Sequence, residues 1–218
     1  MSENRVTEPN TCYCLRIRFR KGGLLRWISH HDLMRTFERL ARRADLPLRM
    51  SEGFHPKPRI RFPSALALGI EGLDEVVELD VTAPIAATSA RARLAAVVPD
   101  GLVIQRVEPL GPGAAKARIR ATVYRFAVPA ARRAAVARAM KDLETRETVT
   151  VQRPDRPMPV DVPLNLEHVV LEGDAVRFCL RETHRASARP RDVLHVLGLE
   201  DLEQEGGYLQ RTAVELVS

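Results

Sequence analysis

The sequence predicts an α+β fold of two tandem ferredoxin-like (βαββαβ) domains with antiparallel sheets. Three observations predict it. A period-two stretch, residues 15–20, leads through a Lys-Gly-Gly turn into a helical apolar stripe. From there to residue 110 the order reads strand, helix, strand, strand, helix, strand. After the turn-forming "GPGAAK", 111–116, the same order is legible again. The expected division is a disordered tail at 1–11, one domain at 12–110, a linker at 111–116 and a second domain at 117–218.

In "CLRIRFRK" the residues Leu15, Ile17 and Phe19 alternate with Arg16, Arg18 and Arg20, the mark of a half-buried strand. "KGG" supplies a turn. Ser29, followed three residues later by Asp32, is a capping-box-like helix start. Leu33, Met34, Phe37, Leu40, Ala41 and Ala44 then form one helical stripe, which should end before Pro47. Gly53, Pro56 and Pro58 make "SEGFHPKP" a constrained loop. A second strand follows, with Ile60 and Phe62 alternating with Arg59 and Arg61, and a third lies in "EVVELDV". A short helix at about Ser89 to Val98 and a strand in "LVIQRVEPL" complete the first half. The second half reads as a strand in "ATVYRFAV", a helix from Ala130 to Leu143, a strand in "ETVTVQR", a Pro-rich loop and a hairpin turning at Gly173. A short helix from Pro190 and a strand in "GYLQRTAVELV" follow, one strand more than the simple pattern needs.

Composition narrows the function. Hydrophobic content of 45% and charged content of 28% are those of an ordinary globular chain. No apolar run approaches a membrane span and the start has no apolar signal core, so a cytoplasmic address and no membrane partner are expected. Three cysteines make no disulfide framework. "CYC" lacks the second ligand pair that structural zinc needs, so neither metal nor cofactor is expected. Cys179 alternates in an apolar strand, where a buried, inert thiol is expected. A net charge of +6 favours an anionic partner.

The placement of the cations sharpens that. In a ferredoxin-like domain both helices cover one sheet face, so Arg16, Arg18, Arg20, Arg59 and Arg61 should share the open face. Lys21, Arg26, His55 and Lys57 join them in the candidate nucleic-acid surface, which suits RNA phosphates and unpaired bases. Glu78 and Asp80 on the same face are too few to neutralise this set. Arg35, Arg39, Arg42 and Arg43 form a second strip on the first helix, read as a solvated face. His30, in the first turn of that helix, is the one catalytic candidate, as a general base toward a 2′-hydroxyl. His30 and His31 otherwise read as local packing and an exposed side chain, and His168, His184 and His195 make no metal-ligand spacing.

With these residues on the page, the chain resembles the radical SAM-linked proteins, domain of unknown function 2344. The resemblance lies in "LRIRFRKGGLLRWISHHDLMRTFERLARRADLPLRMSEGFHPKPRIRF" and continues through "PSALALGIEGLDEVVELDV" to "SARPRDVLHVLG". Matched family positions are Ser29, His30, Asp32, Arg35, Ser51, Gly53, Phe54, Pro56, Pro58 and Gly69. Trp27 replaces the usual Phe, His31 stands where Leu is typical, and Val162 or Pro163 replaces an arginine. The resemblance implies partnership. The chain has no C-x3-C-x2-C motif for an iron–sulfur cluster, so it should work with a separately encoded radical SAM enzyme. The resulting expectation is a non-catalytic RNA-binding or substrate-presenting accessory protein, in tRNA or rRNA modification. The alternatives are a protein–protein adaptor without RNA contact and a metal-independent endoribonuclease using His30.

Overall fold

The computed structural model describes residues 12–152, 158–183 and 187–217. The tail expected at 1–11 therefore lies outside the described residues. The fold is α+β with antiparallel strand pairing, and the chain divides into two compact units, Met1–Arg118 and Ile119–Ser218.

In the first unit β1 is Tyr13–Lys21, α1 His30–Arg43, β2 Ile60–Arg61, β3 Glu71–Val81, α2 Ala87–Ala95 and β4 Leu102–Leu110. A short 3-10 helix, Gly23–Trp27, follows β1. Strand β1 lies between β4 and β3, and β2 pairs with β3. The period-two expectation for β1 holds residue by residue: Leu15, Ile17 and Phe19 are buried and pack into one core with Leu33, Phe37, Leu40 and Ala41 of α1 and Leu94 of α2. Helix α1 starts where a Ser N-cap should start it, the Ser29 Oγ accepting the Asp32 N–H at 3.1 Å. Its end precedes Pro47, and Asp45 takes a left-handed φ of 49°.

In the first unit β2 and β3 depart most from expectation, and α2 begins and ends two to three residues before the expected Ser89–Val98. β2 spans two residues, because Pro58 and Pro63 flank it and neither has an N–H to extend a ladder. β3 begins at Glu71, four residues before the expected Glu75, and this brings two further acids into the sheet. The 111–116 segment is tied to the first unit: the Ala115 carbonyl accepts from Arg16 at 3.1 Å and the Ala117 N–H donates to Glu78 at 3.0 Å.

In the second unit β5 is Ile119–Ala127, α3 Ala130–Glu144, β6 Thr148–Val151, β7 Val160–Pro163, β8 Leu166–Glu172 and β9 Ala175–Arg181. Then come α4 Pro190–Val196, α5 Glu200–Gln204 and β10 Gln210–Leu216. The strand order is β10, β5, β9, β8, while β6 and β7 pair apart from it. The β8–β9 hairpin turns at Gly173, whose φ of +59° suits glycine. The sequence reading has only a Pro-rich loop where β7 forms, because Pro159 precedes that strand and Pro163 ends it. Among the described residues no helix is long and apolar enough to cross a membrane.

Candidate functional site

Strand β1 presents Arg16, Arg18 and Arg20 on the face away from the helices, and each meets a carboxylate of β3. Arg16 donates from Nε and Nη2 to Glu78 Oε1 at 3.1 and 3.0 Å. The Arg18 Nη1 donates to Asp74 Oδ2 at 2.8 Å, and Arg20 Nη2 to Glu71 Oε1 at 2.7 Å. From β2, Arg61 donates to Asp80 Oδ2 at 3.1 Å and to Glu78 Oε2 at 3.4 Å. Glu78 is only 1% exposed and accepts from two guanidiniums and one backbone N–H. Burial, the largest single influence, opposes the Arg61 charge, but the hydrogen bond it donates to Asp80 and the negative charges of Asp80 and Glu78 together outweigh it and hold this guanidinium above its ordinary pKa. Burial also lifts Asp74 above the usual carboxylate range, against the pull of Arg18.

This corrects the expected open cationic face. Arginines whose donors are committed to buried or half-buried carboxylates have few left for phosphate. Counting only Glu78 and Asp80 missed Glu71 and Asp74. The signal was present in "EGLDEVVELDV", which carries five acids, but Gly72 interrupts the apolar pattern that marks the strand.

Lys21 needs a second correction. Period two places it in phase with Phe19, toward the core, and it is wholly buried, its Nζ donating to the Ile28 carbonyl at 3.2 Å. In register it faces Gly72, over which the Glu75 side chain lies, while Glu71 Oε1 sits against the adjoining Gly22. Glu71 and Glu75 are 4% and 3% exposed. Lys21 thus belongs to a buried charged cluster that anchors the turn after β1, and it cannot reach a phosphate. Arg26 is half-buried, its guanidinium carbon 5.1 Å from the centre of the Trp27 ring.

The remaining three candidates, His55, Lys57 and Arg59, are exposed on one loop. Its base is closed by hydrogen bonds: Ser51 N–H to the Lys57 carbonyl at 2.7 Å, Lys57 N–H to Ser51 Oγ at 3.0 Å, and Arg59 N–H to the Arg49 carbonyl at 2.9 Å. Pro58 is buried and bridges to Met50. Gly53 has a φ of +117°, open to glycine and strained for other residues. Pro56 adds stiffness, and Phe54 at the tip is wholly exposed. The loop therefore holds an aromatic ring in solvent beside three basic side chains.

The other matched positions are structural. Ser29 caps α1 and donates to Asp32 Oδ2 at 2.7 Å, and Arg35 lies 4.0 Å from Asp32 on the exposed helix surface. His30 is half-buried, its ring edge-on to Phe62 at 5.2 Å, and Phe62 in turn meets Phe19 and Phe37 edge-on. The Gly69 N–H donates to the Arg26 carbonyl at 2.9 Å, joining the chain at the exposed Leu68 to that at the exposed Trp27; Leu24 is also exposed. His31 and His168 are exposed, His195 meets Glu200, and His184 lies outside the described residues. Among the described residues, no three His, Cys, Asp or Glu side chains are grouped to hold a metal.

In the second unit Glu167 accepts from Arg181 and from Arg120, and these bonds, the Arg181 one foremost, hold its carboxyl down at about 2. Burial pushes the Cys14 and Cys179 thiols up to about 11.

Residues 14–190 match the model of a protein family described as an uncharacterized protein conserved in bacteria, domain of unknown function 2344. Among curated proteins, none matches the chain.

Proposed function

The chain belongs to this family of uncharacterized bacterial proteins, and we propose that it is a non-catalytic accessory protein that presents RNA to a separately encoded radical SAM enzyme in the cytoplasm. The observation that carries the reading is the 51–59 loop: Phe54 stands wholly in solvent, flanked by exposed His55, Lys57 and Arg59. An exposed ring beside cations suits an unpaired base stacked on the ring with its phosphates held by the basic side chains. The net charge of +6 supports the same class of partner. The radical SAM link rests on the motifs that the chain shares with the radical SAM-linked proteins.

A ferredoxin-like reading of each unit is supported by strand order. In the first unit β1 lies between β4 and β3, with β2 on the other side of β3; in the second, once the separate β6–β7 pair is set aside, β5 lies between β10 and β9, with β8 on the other side of β9.

Filter binding of bulk tRNA across a salt series tests the RNA reading. Wild type should bind at low salt and weaken steadily as salt rises, and Phe54→Ser should bind about tenfold or more weakly, since base–aromatic stacking contributes ~1–3 kcal/mol per base. Absence of binding at low salt would sink the reading. Cleavage of labelled RNA in EDTA should be equally absent for wild type and His30→Ala.

A second reading, a protein–protein adaptor, is favoured by the exposed Leu24, Trp27 and Leu68. It expects a purified radical SAM partner to bind nuclease-treated wild type with no RNA retained, and to lose that binding in Trp27→Ser.

A further inference from the structure

The sheet arginines are spoken for, so the available positive charge of the first unit has to be sought elsewhere, and helix α1 carries it. Arg39, Arg42 and Arg43 are exposed, and none makes an ion pair among the described residues. Arg39 and Arg43 also share a groove of about 330 Å³ between α1 and the segment that follows α2. Its apolar side is Leu40 with Val97, Val98 and Pro99. Thr36 lines the same groove; its hydroxyl donates to the Asp32 carbonyl at 2.8 Å and its oxygen takes the Arg39 Nη2 at 3.4 Å. That weak bond inclines Arg39 along the helix surface and leaves most of its donors open.

No carboxylate lines this groove. Glu38 and Asp100 adjoin it in sequence, yet neither contributes to the lining. The contrast with β1 is direct: there every arginine meets an acid, and here two guanidiniums one helical turn apart, about 6 Å along the axis, meet none. The strip also outruns the groove, with Arg35 one turn before Arg39 and Arg42 beside Arg43. A single phosphate needs less, whereas a strand with repeated phosphates uses the whole length.

We propose that the α1 groove seats an RNA strand, with phosphates on Arg39 and Arg43 and a sugar or base edge against Leu40 and the Val97–Pro99 segment. This rests on the RNA reading above and adds a second contact, on the helical face, where the sequence reading had only a solvated strip. Arg side chains suit the role because a guanidinium offers paired donors to phosphate oxygens.

The test is filter binding of bulk tRNA to wild type, Phe54→Ser, Arg20→Ala and the double variant Arg39→Ala/Arg43→Ala, each checked by circular dichroism for an unchanged fold. The double variant is expected to bind roughly tenfold more weakly, with the log–log salt slope shallower by about 1.4 for two lost single-strand phosphate contacts. Arg39→Lys/Arg43→Lys should recover part of the affinity and most of the slope, while Arg20→Ala should match wild type. If wild type binds, Phe54→Ser weakens it and the double alanine variant does not, the groove proposal is overturned and the RNA reading stands. If wild type does not bind tRNA at low salt, both fall. A double variant that loses affinity with no change in slope also overturns the groove as a phosphate site.

Discussion

Replacing Lys21 with Met removes an ammonium while keeping an unbranched side chain of similar volume, so the cavity term is small and the loss is electrostatic. The Lys21 side chain is wholly buried, and Glu71 and Glu75 beside it are 4% and 3% exposed. Removing the cation leaves these carboxylates in a low-dielectric site, with Glu71 still held by Arg20 at 2.7 Å. It also deletes the charge-assisted bond to the Ile28 carbonyl, worth about 1.5–3 kcal/mol on its own. Breaking a buried charge cluster from one side typically costs about 3–5 kcal/mol, and that is the expected loss for Lys21→Met. Against a domain stability of roughly 5–15 kcal/mol, this is a large fraction. Urea unfolding at pH 7 is followed by the fluorescence of Trp27, the chain's single tryptophan, which lies in the first unit. Adding Glu75→Gln to the variant should restore at least about 1 kcal/mol, because one buried negative charge beside the lost ammonium is then gone. A loss below about 1 kcal/mol for Lys21→Met, with an unchanged denaturant slope, would refute the electrostatic argument.

Gly22→Ala should destabilise the first unit by about 1–3 kcal/mol in the same assay: a Cβ there meets Glu71 Oε1 at 2.3 Å, and the buried Glu71 cannot swing aside without leaving Arg20. Its φ of −147° is open to alanine, so the cost is steric. In the second unit, Glu167 has its carboxyl held down from 4.5 to about 2. A depressed carboxylate stabilises the fold above the unfolded value and loses that contribution as pH falls toward the folded one, so acid unfolding should steepen between about 4.5 and about 2 in wild type and flatten in Glu167→Gln, read by far-UV circular dichroism. Cys14 and Cys179, both with thiols pushed up to about 11, should react with iodoacetamide at pH 7.5 far more slowly than a free cysteine, by mass spectrometry of the native protein.

Much of the fold was legible because local pattern and tertiary role agree. In β1 the alternation of Leu15, Ile17 and Phe19 with arginines is the burial pattern itself, and in α1 the stripe, the Ser29 cap and Pro47 fix face and limits. The errors have local causes. Proline reads as a loop, so the sequence does not show β7, which follows Pro159 and ends on Pro163, although an isolated two-strand ladder tolerates it. Gly72 hides the start of β3. For the site, the shape of the 51–59 loop follows from Gly53, Pro56 and Pro58, but the exposure of Phe54 does not, since an aromatic residue is by default a core residue. The fate of the arginines was out of reach for another reason: their partners are more than fifty residues away, and only the register of β1 on β3 brings them together. Lys21 was within reach, because its phase along β1 already points inward.

That register explains why so basic a strand need not be a binding surface. Arg16 stands directly opposite Glu78, and Arg18 stands opposite Val76, one diagonal step from Asp74. A slip of one residue would turn every arginine of β1 toward the core and every apolar partner toward the acids, at the cost of both the core and the ion pairs. The arginine–carboxylate ladder therefore reinforces the pairing that the apolar face already demands, and its charges cancel as they do so. The exposed cations of the 51–59 loop and Arg39, Arg42 and Arg43 of α1 have no such carboxylate partner among the described residues. That is where the proposed RNA contacts lie, on the loop and the helix and not on the sheet face to which a count of basic residues points.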